Sequence, residues 1–178
     1  MVSIELSIDA IREFAATQLG PPETRIHLAG ADLMALPFPS ASFNVVLVAF
    51  HGMDYMTDPA VRKQGLREIE RVLQPGGSAI IDSYNPIGLI RSRAMWQVPQ
   101  LRKRMLNYLL KGEFLRSTFI DLTGLELHQA VPQLVIREVA GATSLRHEAT
   151  FDSDGKSVSI TQAAIRSPEP YFIFRKPK

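Results

Sequence analysis

The stretch from Asp32 to Phe50, DLMALPFPSASFNVVLVAF, constrains this chain more than any other. It sets an acid, a loop stiffened by Pro37 and Pro39, and an unbroken apolar run from Val45 to Phe50 in that order. Such a run, preceded by turn residues, has the pattern of a strand buried on both faces of a parallel sheet. The loop before it then lies at the edge of a packed α/β core, and the two prolines hold it in place at low entropic cost. A helix is expected next. Asp58 is its cap, Pro59 takes its first position, and Val61, Leu66, Ile69, Val72 and Leu73 form one apolar stripe up to a stop at Pro75-Gly76-Gly77. Ser78 to Ile81 reads as the following strand, and Asp82-Ser83-Tyr84-Asn85-Pro86 at its carboxyl end either borders the expected active cleft or serves as capping and turn residues, the simpler expectation for Ser83 and Asn85.

The flanking segments continue the alternation. Val2 to Leu6 reads as a strand. Ser7 then caps a helix with apolar positions Ile8, Ile11, Phe14, Ala15 and Leu19, stopped by Gly20-Pro21-Pro22. Arg25 to Leu28 is expected to be a strand that ends at Gly30-Ala31-Asp32. Towards the C-terminus, Pro132 to Ala140 reads as a helix stopped by Gly141, Thr143 to Phe151 as a strand, and Asp152-Ser153-Asp154-Gly155 as a turn. Pro170 to Pro177 closes the chain with another strand. Residues 87–127 break the pattern, with seven bases (Arg91, Arg93, Arg102, Lys103, Arg104, Lys111, Arg116) against three acids (Glu113, Asp121, Glu126). Trp96, Leu101, Met105, Tyr108, Leu109 and Leu110 suggest an amphipathic helix there, read as an inserted lid over the substrate side. Its bases are either a solvated face snorkelling over apolar surface or an attractor for an anionic ligand.

With 178 residues, 46% hydrophobic and 21% charged, the chain suits one soluble domain, 1–178. No apolar run reaches the roughly 20 residues of a membrane span, and the N-terminus lacks the features of a secretory signal, so the expectation is a cytoplasmic protein without a membrane partner. The absence of cysteine excludes a disulfide framework and a thiolate nucleophile. The four histidines form no short-range ligand pair, so no metal is expected. A formal charge of +2 does not by itself imply nucleic acid, and residues 87–127 lack the aromatic-basic interleaving of an RNA-binding module.

Five of these features in order, Asp32, Leu36-Pro37-Phe38, the strand to Phe50, the helix ending in Leu73-Gln74-Pro75-Gly76-Gly77 and the strand after it, resemble the second half of the core of class I S-adenosylmethionine-dependent methyltransferases, of the type 11-like kind. The resemblance implies a Rossmann-like α/β sheet of order 3-2-1-4-5-7-6, with residues 87–127 inserted and the final strand antiparallel. It implies S-adenosylmethionine as cofactor and methyl transfer to a small molecule, with RNA a less favoured acceptor. It also implies cofactor contacts: the Glu5 carboxylate on the ribose hydroxyls, Asp32 on the adenine amino group, the Leu33 amide on a ring nitrogen, and Phe50 beside the cofactor. The residues alone leave Glu5 equally readable as a surface carboxylate at a helix N-terminus and Asp32 as a solvated loop acid. Asn44 stands where the family more often has Asp.

His51-Gly52-Met53-Asp54-Tyr55-Met56 falls at the carboxyl end of a parallel strand, where open α/β sheets place their ligands. Displacement at a methyl group needs chiefly alignment, and a base only if the nucleophile carries a proton. His51 is therefore a candidate general base and Tyr55 a candidate substrate-orienting residue, with packing or substrate lining as the simpler role.

The glycines stand at 20, 30, 52, 65, 76, 77, 88, 112, 124, 141 and 155, so no Gly-x-Gly-x-Gly-like turn is present and the family's first, central strand has no counterpart. The order expected for this chain is thus 3-2-[1 missing]-4-5-7-6, either with a gap or with Val2–Leu6 pairing directly with Val45–Phe50. The chain reads as an N-terminally shortened methyltransferase whose cofactor binding is weak or absent. A catalytically inactive, methyltransferase-like interaction protein is the alternative. A nicotinamide-dependent oxidoreductase also needs a glycine-rich first turn and accounts less well for the Leu-Pro-Phe and Pro-Gly-Gly segments.

Overall fold

In a computed structural model, residues 2–5, 27–97, 99–112, 116–120 and 124–178 are described. The helix expected over residues 7–19 lies outside them. The first two strands, β1 (Val2–Glu5) and β2 (His27–Gly30), pair in parallel with Glu5 opposite Gly30. The first two positions of the second expected strand, 25 and 26, lie outside the described residues.

A four-stranded sheet carries the core. β3 (Phe43–Val48) runs parallel to β4 (Leu73–Asp82), β8 (Tyr171–Arg175) is antiparallel to β4, and β7 (Arg146–Phe151) is antiparallel to β8, giving the order β3-β4-β8-β7. Helix α1 (Pro59–Val72) makes the crossover from β3 to β4. Asp58 caps it, its carboxylate accepting the Ala60 amide at 2.7 Å. The helix ends at Val72 and the chain enters β4 directly, so Pro75-Gly76-Gly77 lies inside the extended segment instead of before it. Gly76 has φ +76°, a conformation in which a Cβ is strained. Leu66, Ile69, Leu73, Ala79, Ile81, Phe172 and Phe174 are fully buried with Val135 and Val139 of helix α5 (Pro132–Ala142). Burying a large apolar side chain contributes roughly 1.5–3 kcal/mol, so this cluster is the main source of cohesion.

Between β4 and α5 the chain forms α2 (Pro86–Arg91), α3 (Arg93–Gln97), α4 (Pro99–Leu110) and a hairpin of β5 (Thr118–Ile120) with β6 (Glu126–His128). Among the described residues, the single amphipathic helix expected here is instead helical segments interrupted at Ser92 and followed by a hairpin, with Pro86 at the first position of α2. Buried Leu89, Met105 and Tyr108 give the segment a small core of its own. Near the C-terminus, Gly141 lies within α5 and does not stop it. Helix α6 (Ile160–Arg166), absent from the sequence expectations, starts at a Ser159/Gln162 capping box. Asn85 joins two of these elements: its Oδ1 accepts the Ile87 amide at the start of α2, while its Nδ2 donates to the Ala163, Ala164 and Ser167 carbonyls closing α6. Gly88 follows from the same junction, since a Cβ there would stand 2.0 Å from the Ser167 carbonyl oxygen.

The expectation that Val45–Phe50 is buried on both faces fails. β3 is a sheet edge, Val45 and Leu47 are 55% and 59% exposed, and Phe50 lies beyond the strand. Among the described residues no strand pairs with the open edge of β3, and β1 pairs only with β2. Of the two arrangements considered from the sequence, direct pairing of β1 with β3 is not the one formed.

Candidate functional site

Parallel β3 and β4 end side by side, and the turns that follow them are where the polar residues converge. Phe50 and His51 have φ of +55° and +59°, in the left-handed region that costs a non-glycine residue roughly 1–3 kcal/mol and persists only when surrounding contacts enforce it. Those contacts are present. The Asp82 carboxylate accepts the His51 amide at 3.0 Å, the Gly52 amide donates to the Ala49 carbonyl, and the Asp54 amide donates to the His51 carbonyl at 2.7 Å.

Asp54 is at the centre. It is completely buried, its Oδ1 accepts the Ser83 hydroxyl at 2.9 Å, and its Oδ2 accepts the Tyr84 amide at 2.8 Å. Buried Arg62 approaches Oδ1 at 3.6 Å and holds Glu138 through two bonds of 2.6 and 2.8 Å. A buried carboxylate persists only with such compensation. The Asp54 carbonyl also accepts the His128 amide, which fastens the hairpin to the turn after β3.

The His51 ring stacks on Tyr84, with centroids 3.7 Å apart and planes at 21°. Tyr84 meets Phe119 edge-on, and Phe119 meets Tyr108 in the same way, so an aromatic row runs from the strand end into the segment between β4 and α5. The Tyr108 hydroxyl donates to Gln129. His51 Nδ1 lies 3.7 Å from Asp54 and 3.8 Å from Asp82, its Nε2 is 3.8 Å from Glu169, and His128 Nδ1 is 3.6 Å from Asp54.

Burial pushes the Asp82 carboxyl above its ordinary range; the nearby His51 opposes this and the Asp54 charge adds to it. Between the unfolded value near 3.8 and the raised folded value, the folded chain holds more protons than the unfolded one. Stability from this group therefore falls as pH rises through that window. Asp82→Asn keeps an acceptor for the His51 amide and removes the charge. It is expected to raise the melting temperature at pH 7 and to flatten that part of the stability–pH profile, as followed by thermal denaturation in a pH series. A lower melting temperature at neutral pH would show that the charged form is the favoured one.

Of the residues singled out in the sequence, His51 stands in this cluster. Tyr55 is 56% exposed and Phe50 87% exposed, outside it. Asp32 is partly buried and turns its carboxylate to the Met34 amide at 2.9 Å, while Leu33 packs against the core. The Glu5 backbone is at the same end of the β1–β2 pair as Gly30, and its side chain lies outside the described residues. Arg62, Asp54, Glu138, His128 and Glu169 were not distinguished by the sequence reading. Arg62 did leave a signal, since it shares the i, i+4, i+7 face of Leu66 and Ile69, an unusual place for a charge. Among the described residues no group of three or more His, Cys, Asp or Glu could hold a metal, and no helix is long and apolar enough to cross a membrane.

A parallel crossover unit with its polar residues at the strand ends, extended by an antiparallel final strand, is the α/β arrangement of the class I methyltransferases. The chain shares its fold with a crystal structure of an S-adenosylmethionine-dependent methyltransferase from Methanosarcina mazei, at TM-score 0.66 and 16% identity over 99% of this chain and 81% of that one. Residues 1–77 match the methyltransferase domain family. Among curated relatives, the ubiquinone/menaquinone biosynthesis C-methyltransferase of Hahella chejuensis is 41% identical over 70 residues, 39% of this chain and 26% of that protein. The 2-methyl-6-phytyl-1,4-hydroquinone methyltransferase of Synechocystis is 40% identical over 70 residues, 39% of this chain and 21% of that protein. The matches thus span about a quarter of these relatives' length. By its N-terminal part and its fold, the chain resembles the class I S-adenosylmethionine-dependent methyltransferases.

Proposed function

We propose that the protein to which this chain corresponds transfers the methyl group of S-adenosylmethionine to a small aromatic acceptor, of the reduced-quinone kind. The observation that carries this reading is the match of residues 1–77 to the methyltransferase domain, continuous with the polar residues His51, Asp54, Asp82 and Tyr84 that converge where β3 and β4 end. The cofactor supplies an electrophilic methyl group when bound. The adenine side fits what the chain offers, with Asp32 and Leu33 in the loop after β2. The methionine side finds no glycine-rich turn among the described residues, and this supports weak binding by the chain as it stands. The aromatic faces of Tyr84 and Phe119 suit a flat acceptor, and His51, stacked on Tyr84, is placed to line it or take its proton. The open edge of β3 favours a second reading, an interaction protein that recruits a strand there.

The test is transfer of a labelled methyl group from S-adenosylmethionine to a chemically reduced 2-prenyl-1,4-naphthoquinone, in this chain and in any longer chain its reading frame encodes. Label in the extracted quinone is the expected result for the longer chain, with little or none for the 178 residues alone. A chain that binds the cofactor yet labels neither this quinol nor simple phenols would overturn the aromatic-acceptor reading. A strand-donating partner recovered together with absent transfer would favour the interaction protein.

A further inference from the structure

Helix α4 turns Met105 and Tyr108 into the small core they share with Leu89, and it leaves Arg102, Lys103, Leu106, Asn107 and Leu110 exposed. Arg102, Leu106 and Leu110 follow one another at intervals of four residues, and Lys103 stands three residues before Leu106 and seven before Leu110. At 3.6 residues per turn the two leucines therefore run down the middle of the outward face, with a base on each side of them. Leu106 is 47% exposed and Leu110 84%. The helix contains three bases, Arg102, Lys103 and Arg104, and no acid, and exposed Lys111 follows it.

Single exposed leucines are ordinary on a protein surface. Two of them one turn apart, bracketed by bases on a helix without acids, are the pattern of a helix lying in a lipid interface. There the apolar side chains enter the acyl boundary, the arginine and lysine stems lie along it, and their charged ends reach anionic headgroups. Charge and apolarity together narrow the occupant. A second copy of this face would bring like charges together. A nucleic acid would satisfy the bases and leave both leucines in water, because base stacking needs aromatic side chains. An anionic bilayer satisfies both. A helix on the surface needs no membrane-crossing segment, the feature on which the expectation of no membrane partner rested, and none is present among the described residues.

We propose that the outward face of α4 docks on an anionic lipid surface, with Leu106 and Leu110 inserted and Arg102 and Lys103 on the headgroups. The docking itself does not depend on the methyl-transfer reading; its use in the following step does. Tyr108, on the buried side of the same helix, meets Phe119, and Phe119 meets Tyr84. A docked helix therefore holds the start of the aromatic row within one helix diameter, roughly 10 Å, of the lipid. A prenylated acceptor then reaches that row from the bilayer, where its apolar tail is dissolved.

The test is co-sedimentation of the chain with vesicles of phosphatidylcholine alone and of phosphatidylcholine with about 30% phosphatidylglycerol. Binding to the anionic vesicles and not to the neutral ones is expected, and it weakens as salt is raised. Leu106→Gln combined with Leu110→Gln is expected to lower the apparent affinity about tenfold at constant charge, and Arg102→Gln combined with Lys103→Gln by a similar factor. All four positions are exposed, and an unchanged melting temperature shows that each variant is folded. Absence of binding to the anionic vesicles overturns the proposal. Binding that the leucine variant leaves unchanged also overturns it, because it marks a purely electrostatic patch open to any polyanion, RNA included. Self-association without lipid that Leu110→Gln abolishes would overturn it in favour of a second copy. Vesicle binding by a chain that methylates no quinol leaves the docking standing and removes only its use. Quinol labelling by a chain that binds no vesicle leaves methyl transfer standing and removes the docking.

Discussion

Titrated with S-adenosylmethionine in a calorimeter, the 178-residue chain is expected to give little or no heat of binding, whereas a chain extended by a strand and a glycine-rich turn is expected to bind in the micromolar range. The reason is in the sheet. Among the described residues, β1–β2 and β3-β4-β8-β7 share no ladder of hydrogen bonds, and the methyltransferase resemblance implies that a strand between them carries the turn around the methionine part of the cofactor. Adding it would bury Val45 and Leu47, now 55% and 59% exposed, at roughly 1.5–3 kcal/mol for each side chain fully covered. The longer chain is therefore expected to unfold at higher urea concentration and with a larger m-value, since more surface is exposed on unfolding. Micromolar binding by the 178 residues alone would show that the cofactor site does not depend on that strand.

Asp54→Ala is expected to be the most damaging single substitution in the cluster. It removes the acceptor of the Ser83 hydroxyl and the Tyr84 amide and takes one of two carboxylates from Arg62. Arg62 keeps its two bonds to Glu138, so the loss comes mainly from the Ser83 hydroxyl and the Tyr84 amide, each left without its acceptor at about 1–3 kcal/mol. Against a typical total of about 5–15 kcal/mol, that is a large fraction. Urea denaturation of the purified variant measures it. Asp54→Asn, which keeps an acceptor and the volume, is expected to lose less. A loss below about 1 kcal/mol for the alanine variant would mean that the Ser83 hydroxyl and the Tyr84 amide find other acceptors and that Asp54 contributes little to stability.

Much of the fold was legible because its signals are local. Asp58-Pro59 starts α1 through one side-chain bond and one fixed φ, whereas the stop expected at Pro75-Gly76-Gly77 falls inside β4. The turn at Asp152–Gly155 and the final strand also follow from neighbouring residues alone. Helix α6 carried its Ser159/Gln162 capping box in the sequence although it was not among the expected elements. The hairpin of β5 and β6 carried no comparable signal, since three-residue strands are too short for alternation to stand out.

The candidate site divides along the same line. The sequence by itself determined that polar residues would gather after two apolar strands, with His51 among them, because strand direction and connection order put those ends together. Only the tertiary structure decided which side chains meet. Arg62 and Glu138 pair across 76 positions and Ser83 reaches Asp54 across 29. His128 is brought to the same carboxylate by the hairpin of β5 and β6. Whether Val45 and Leu47 are core or surface was equally out of reach of the residues themselves. An apolar run records a demand for burial, and the neighbouring strand that satisfies it belongs to the assembled sheet.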